Sequence, residues 1–247
     1  MKNKILGVIP ARFGSTRFPG KPLALINGVP LIVRVYNGAK SSAFLDELVV
    51  ATDDQKIRTE CISKDINVIM TGDCTSGSDR VYKVAEQINA DIYVNIQGDE
   101  PLIDGKIIDE AIRLFESDIQ IQVATLIKEI KNDGELKNPN VVKVVADNDK
   151  NALYFSRLPI PFKRGNCDIK YYKHIGLYVY RKEALKKFSS LSKGILENVE
   201  CLEQLRFLEN GIKIRLIETQ YEAIGVDTPE DIKKVENVLN NLNPGNL

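Results

Sequence analysis

Three short segments carry the side chains best suited to chemistry, and the first two directly follow apolar runs. The first, Ile9 to Lys21 (IPARFGSTRFPGK), places Arg12, Arg17 and Lys21 among Gly14 and Gly20. Glycines let backbone N–H groups approach an anion, and three cations can neutralise a polyphosphate. The spacing matches neither a Walker A loop nor the GxGxxG dinucleotide fingerprint. The second segment is Gln97-Gly98-Asp99-Glu100-Pro101. A hard cation such as Mg²⁺ takes one or two carboxylates and completes its shell with phosphate oxygens and water, so one aspartate there is chemically sufficient. The third is Gly225-Val226-Asp227-Thr228-Pro229. If Asp227 converged with Asp99 on a metal, the pair would clamp the attacking and leaving oxygens of a phosphoryl substitution. Taken singly, the three segments also read as a solvated basic loop, an ordinary turn and a helix cap.

The elements that must position these residues show in the hydrophobic pattern. Ile5 to Ile9, Glu47 to Ala51, Asn67 to Met70 and Asp91 to Ile96 read as strands. Pro30 to Lys40, Gln55 to Lys64, Asp79 to Asn89 and Gly105 to Glu116 carry apolar residues at helical spacing. This alternation predicts an α/β fold, with parallel strands and helical crossovers on both faces. In such sheets ligands bind beyond the carboxyl ends of the strands, where the first two segments fall.

After Ile119 the alternation lapses. Gln120 to Ile130, Val141 to Asp147 and Ala152 to Ser156 are strand-like pieces without room for long helices between them, which suggests an antiparallel extension over residues 120–180. Pro159 to Lys170 reads as a loop. One helix is expected from Glu197 to Glu209, with Leu196, Val199, Leu202 and Leu205 at helical spacing and Gly211 as its stop. A strand is expected at Lys213 to Glu218. A last helix should run from Pro229 to about Leu242, with Thr228 as its cap and Asp231 near the positive end of its dipole. No linker divides the chain, so a single domain is expected.

Bulk composition bounds the partners. Lys and Arg number 34, as do Asp and Glu, so no net field gathers nucleic acid or an acidic membrane. No apolar run approaches the about 20 residues needed to cross a bilayer. Cys61, Cys74, Cys167 and Cys201 are scattered without a zinc-type spacing and read as reduced thiols of a cytoplasmic protein.

Read together, the segments resemble the 3-deoxy-manno-octulosonate cytidylyltransferases, or CMP-Kdo synthetases. The matching stretches are IPARFGSTRFPGKPL, SGSDR (Ser76 to Arg80), VNIQGDEPLI from Val94, NPNVVKVV from Asn138, YFSR from Tyr154, HIGLYVYR from His174, LEQLR from Leu202 and GVDTPED from Gly225. The likeness runs from Ile9 to beyond Asp231. It implies a Rossmann-like, glycosyltransferase-A-like nucleotidyltransferase fold with a mostly parallel sheet, a homodimer, and a need for CTP and Mg²⁺. The implied reaction transfers CMP from CTP to Kdo with release of pyrophosphate, giving CMP-Kdo for lipopolysaccharide or capsule synthesis. An amino-substituted Kdo (8-amino-3,8-dideoxy-manno-octulosonate) shares nearly all of these motifs as acceptor, and a nine-carbon sialic-type acid fits them less well. A non-catalytic nucleotide-binding protein is disfavoured by the intact Arg12, Lys21, Asp99 and Asp227.

The resemblance also assigns roles. It implies that Arg12, Arg17 and Lys21 hold the triphosphate, that Ser76, Gly77, Arg80 and Gln97 line the base and ribose pocket, and that Asp99 and Asp227 bind the metal. Arg12, Lys21, Asp99 and Asp227 are then the catalytic set. The acceptor sugar is expected at Arg157, His174, Tyr178, Glu203 and Gln204. Tyr178 and Tyr180 share one strand, and one of them is expected to face the site and the other to face elsewhere. Glu203 and Gln204 are expected to project from a helix whose Leu202 and Leu205 face the core. The chain departs from the family pattern at Cys74, where a histidine is common, at Ser78, where a threonine is common, and in a shorter loop from Phe162 to Tyr172.

Overall fold

The computed structural model describes residues 2–14 and 17–242, so Ser15 and Thr16 of the cationic loop lie outside it. The chain divides into two compact units, Met1–Asp109 with Ala223–Leu247, and Glu110–Glu222. The sequence had suggested one domain with an extension over 120–180.

The first unit opens with β1 (Ile5–Ala11), a 3₁₀ turn (Lys21–Leu23), the short antiparallel pair β2 (Leu25–Ile26) and β3 (Val29–Pro30), and α1 (Leu31–Ala39). There follow β4 (Glu47–Thr52), α2 (Gln55–Ser63), β5 (Val68–Met70), α3 (Gly77–Ala85), β6 (Ile92–Asn95) and α4 (Gly105–Ser117), the last of which carries the chain across the unit boundary. Strand order is β6-β1-β4-β5, and every pairing is parallel. Leu6 lies opposite Tyr93 on one side and Glu47 on the other. From β1 the chain steps outward through β4 and β5, then returns to the far side of β1 as β6. Right-handed crossovers in opposite directions put helices on opposite faces, which is why β1, β4 and β6 are buried almost throughout. The reversal point lies between β1 and β6, whose carboxyl ends lead into the cationic loop and into Gln97-Gly98-Asp99.

The second unit holds β7 (Val123–Ile130), α5 (Asp133–Lys137), β8 (Lys143–Ala146), β9 (Ala152–Ser156), β10 (Tyr171–Arg181), α6 (Lys182–Ser190), α7 (Ile195–Glu200), α8 (Leu205–Glu209) and β11 (Arg215–Glu218). Its strands run β11-β7-β10-β8-β9, parallel at β11–β7 and antiparallel elsewhere. Helix α9 (Pro229–Leu242) belongs to the first unit, where Glu236 and Asn240 accept hydrogen bonds from Asn27.

The four parallel strands and their helices agree with expectation to within one to four residues at each end, and the loop over 159–170 has no regular structure. The helix expected from Glu197 to Glu209 is instead two, α7 and α8. Cys201 sits between them in the left-handed region at φ 52° and stops the first. Leu202 and Leu205 are buried as expected, but Val199 is 77% exposed, because after the break the helical spacing no longer runs on from α7. Helices α5 and α6 were not foreseen, being short and rich in charge.

Gly38, on α1, packs so closely on the loop before α4 that a Cβ there would stand 2.0 Å from the Ile103 carbonyl oxygen. Backbone cannot swing aside as a side chain can. Gly38→Ala should therefore lower unfolding free energy by about 1–3 kcal/mol, read as a reduced urea midpoint by circular dichroism with the slope unchanged.

Candidate active site

Beyond the carboxyl ends of β1 and β6 the first unit opens a cleft of about 350 Å³, lined by all nine residues expected to serve nucleotide and metal: Arg12, Arg17, Lys21, Ser76, Gly77, Arg80, Gln97, Asp99 and Asp227. Cys74 lines it too, so the departure from the family pattern falls inside the cleft. A larger cavity of about 710 Å³ in the second unit, beside Val123 and Arg215, contains none of the candidate residues.

At the centre of the cleft the Lys21 ammonium lies 2.8 Å from Asp99 Oδ2 and 3.5 Å from Asp227 Oδ1, and Arg17 Nη2 lies 3.1 Å from the same Asp227 oxygen. Local backbone explains the convergence. Gly20, at φ 73°, turns the chain into the 3₁₀ turn that carries Lys21. A Cβ on Gly98 would meet the Pro10 carbonyl oxygen at 2.5 Å, so only glycine lets the 97–99 segment lie against the end of β1. The Val226 N–H donates to the Asp99 carbonyl at 2.8 Å and so lays Asp227 beside Asp99.

Asp231 braces that arrangement. Its carboxylate accepts from the N–H groups of Asp227 and Thr228 and from the Thr228 hydroxyl. Burial opposes its charge, yet hydrogen bonds from Lys234, these two N–H groups and the hydroxyl outweigh it and bring its pKa down to about 2. Thr228 is thus the donor in its own cap and Asp231 the acceptor, the backward-reaching half of a capping box. The sequence reading credited Asp231 only with a dipole interaction.

Ser76 caps α3 by accepting from the Asp79 N–H at 3.1 Å, which leaves the start of the helix facing the cleft. Arg80 is buried, and its guanidinium is engaged with Asp53, the Thr71 hydroxyl and the Gly72 carbonyl. It therefore holds the 71–72 turn as a wall of the cleft.

The five residues expected at the acceptor all lie in the second unit. His174 packs edge-on to Phe155, with ring centroids 5.2 Å apart, and 5.3 Å from Tyr178. His174 as a residue is partly exposed, but the protein packed around its imidazole dominates and burial lowers its pKa to about 3. Tyr178 and Tyr180 stack on each other 5.7 Å apart, and both are buried. The expectation that they diverge was mistaken, because residues two apart on a strand share a face. Burial, with smaller effects from Tyr180 and nearby Glu203, pushes the Tyr178 hydroxyl well above its ordinary pKa. That hydroxyl lies close to Thr125 but has no partner of hydrogen-bonding geometry among the described residues.

Glu203 and Gln204 sit in the break between α7 and α8, not on a continuous helix, with Gln204 at the start of α8. Gln204 is 4% exposed and its amide nitrogen also has no partner among the described residues. The break is held by the buried pair Arg206–Glu197, bonded at 2.6 and 2.7 Å, with the Arg206 guanidinium 4.1 Å over the Phe188 ring. Arg157 donates to the carbonyls of Pro139, Glu200 and Cys201, which ties it to the same break. Beneath it, fully buried Lys143 donates to the carbonyls of Asn138, Val141 and Arg157. Sequence reasoning missed Lys143 and Thr125. The signal available was a lone polar side chain inside an apolar strand.

The chain is similar to known proteins over nearly its whole length. The chain is 50% identical over 241 residues to a protein of Solibacter usitatus named 3-deoxy-manno-octulosonate cytidylyltransferase, covering 97% of this chain and 96% of that one. A protein of the same name from Fusobacterium nucleatum is 46% identical, with 97% and 98% covered. Among solved structures, a CMP:2-keto-3-deoxy-manno-octonic acid synthetase complexed with CTP is similar at TM-score 0.93 and 41% identity, over 97% of this chain and 99% of that one. A cytidylyltransferase structure from Leptospira borgpetersenii, at 22% identity and TM-score 0.65 over 97% and 87% of the two chains, shares the fold. The sequence model of the cytidylyltransferase family matches residues 6–214, and the chain belongs to that family.

Proposed function

We propose that this protein transfers CMP from CTP to 3-deoxy-manno-octulosonate, releasing pyrophosphate. The observation that carries the reading is the meeting of Asp99 and Asp227, far apart in sequence, on the one Lys21 ammonium in a cleft ringed by Arg12 and Arg17. The relatives' names supply the identity of the acceptor.

The anomeric hydroxyl of the sugar attacks the α-phosphorus of CTP. A new O–P bond forms, the bond from that phosphorus to the β-phosphate bridging oxygen breaks, and the hydroxyl proton passes to solvent. Negative charge grows on the departing pyrophosphate, and Arg12, Arg17 and Lys21 are the fixed cations that stabilise it. Ser76, Gly77 and Gln97 line the part of the cleft assigned to base and ribose. Asp99 and Asp227 offer oxygen donors only, which suits a hard divalent ion shared with phosphate, although the described residues hold no cluster of three or more potential metal ligands. Mg²⁺ held by these two carboxylates would make the α-phosphorus more electrophilic and lower the pKa of the attacking hydroxyl. Arg157, His174, Tyr178, Glu203 and Gln204 offer the acceptor one cation and several hydrogen-bonding groups. The unpartnered Tyr178 hydroxyl and Gln204 amide support this, because buried polar groups without partners are costly and a polyhydroxylated ligand would satisfy them.

The reading also assigns the protein to the cytoplasm, where CTP is available and its four free thiols stay reduced. No described helix is long and apolar enough to cross a membrane. A homodimer is part of the proposal. Leu153, Leu158, Phe162, Ile195 and Val199 are each at least 60% exposed, and hydrogen bonds from Ser156 and Arg157 to Glu200 bring their segments side by side. Exposed large apolar side chains on neighbouring segments are typical of a subunit contact.

Three outcomes are expected. Pyrophosphate release with CTP should be fastest with Kdo in a panel that includes the 8-amino analogue and a nine-carbon sialic-type acid, and should stop when EDTA removes divalent metal; faster turnover of another acid would displace Kdo. Asp99→Asn should keep its circular dichroism spectrum and lose about 100-fold or more in kcat; near-normal turnover would remove Asp99 from the metal role. Light scattering should give twice the chain mass for the wild type and the single chain mass for a Val199→Glu, Ile195→Glu double variant.

A further inference from the structure

Strand β10 does not run in simple register along β7. Ile175 pairs with Leu126 and Tyr178 with Thr125, so Gly176 and Leu177 are extra residues that bulge out. The Thr125 side chain, fully buried, sits at that bulge. Its Oγ1 lies 3.0 Å from the Ile175 carbonyl oxygen, 2.8 Å from the Leu177 carbonyl oxygen and 3.2 Å from His174 Nε2.

A hydroxyl has one proton to give and two lone pairs with which to accept. Two carbonyl oxygens within 3.0 Å of Oγ1 accept only, so the Thr125 proton is committed to them. The Tyr178 hydroxyl, though close, lies outside hydrogen-bonding geometry with Oγ1, so the remaining bonded neighbour, His174 Nε2, must be a donor and carry the hydrogen. In a neutral imidazole the other nitrogen is then an acceptor, and Nδ1 makes no hydrogen bond to the described residues. A lone pair on an uncharged ring accepts from a hydroxyl and offers a carboxylate nothing.

We propose that Thr125 is a positioning residue that locks His174 as the Nε2–H tautomer and leaves Nδ1 to accept a hydrogen bond from a hydroxyl of the acceptor sugar. The last step rests on the reading of His174 as an acceptor contact, whereas the tautomer lock does not. It follows that the carboxylate of the sugar is recognised away from His174 Nδ1.

His174 is the only histidine in the chain, so ¹⁵N-histidine labelling gives a spectrum of one ring. In the free wild-type enzyme Nε2 should be protonated, with a slowly exchanging proton, and Nδ1 should be unprotonated; a proton on Nδ1 overturns the proposal without reference to activity. Thr125→Val keeps the shape and removes the hydroxyl. It should lose the protected Nε2–H signal and raise KM for the sugar on the order of tenfold, with KM for CTP unchanged. Thr125→Ser should restore both. An unaltered ring spectrum in Thr125→Val overturns the lock. A changed spectrum with unchanged sugar KM overturns the assignment of Nδ1 to the sugar, and the CTP-dependent activity of both variants reports separately on the cytidylyltransferase reading.

Discussion

Two carboxylates do not settle side by side unless a positive charge lies between them, and the first unit is organised around that constraint. Lys21 supplies the charge, with Arg17 reinforcing it at Asp227. Each of the three anchors is placed by backbone and not by side-chain reach: the Gly20 turn for Lys21, the close approach at Gly98 for Asp99, and the Val226–Asp99 hydrogen bond for Asp227. Because Asp231 takes up the N–H groups of Asp227 and Thr228, the Asp227 carboxylate is left to face the cleft. A site assembled in this way has its cations and anions already oriented when a triphosphate arrives, so little of the binding energy is spent on reorganisation.

The second unit follows a different logic, that of polar groups buried at a cost. Lys143 has three carbonyl acceptors, and burial lowers its pKa. The Arg206–Glu197 pair is sealed under Phe188, and removing one member of such a pair costs about 3–5 kcal/mol. These satisfied groups make a rigid frame around two unsatisfied ones, Tyr178 and Gln204. A frame that leaves only a few hydrogen-bonding groups unmet among the described residues suits a ligand rich in hydroxyls, and the neutral His174 next to Tyr178 offers an acceptor.

A chain of packed rings links these features. From His174 through Tyr178 and Tyr180 to Phe207 and Phe188, successive centroids lie 4.6 to 5.9 Å apart, so the bulge in β10 and the break between α7 and α8 are packed as one body within the unit. Displacing Arg206 would disturb Phe188 and, through Phe207, the tyrosines.

Some of this follows from the amino-acid order alone. Strands β1, β4 and β6 and the helices around them were legible because a buried parallel strand must be a continuous apolar run and a covering helix must carry an apolar stripe. The cationic loop and Asp99 were legible because chemistry in such a sheet is confined to the ends of strands, whereas Asp227, ahead of a helix, was singled out through the family resemblance. Tertiary structure decided the rest. That two aspartates share one lysine depends on a hydrogen bond from Val226 and a missing Cβ at Gly98, contacts between distant residues that no local pattern encodes. The break at Cys201 requires a left-handed residue that nothing in its type announces, and Leu202 and Leu205 kept a helical spacing across it that concealed the interruption. Thr125 reads in sequence as one β-branched residue among apolar neighbours. Only the folded chain brings its single proton within reach of two carbonyls and a histidine, and the count of donors and acceptors there settles which nitrogen carries the hydrogen.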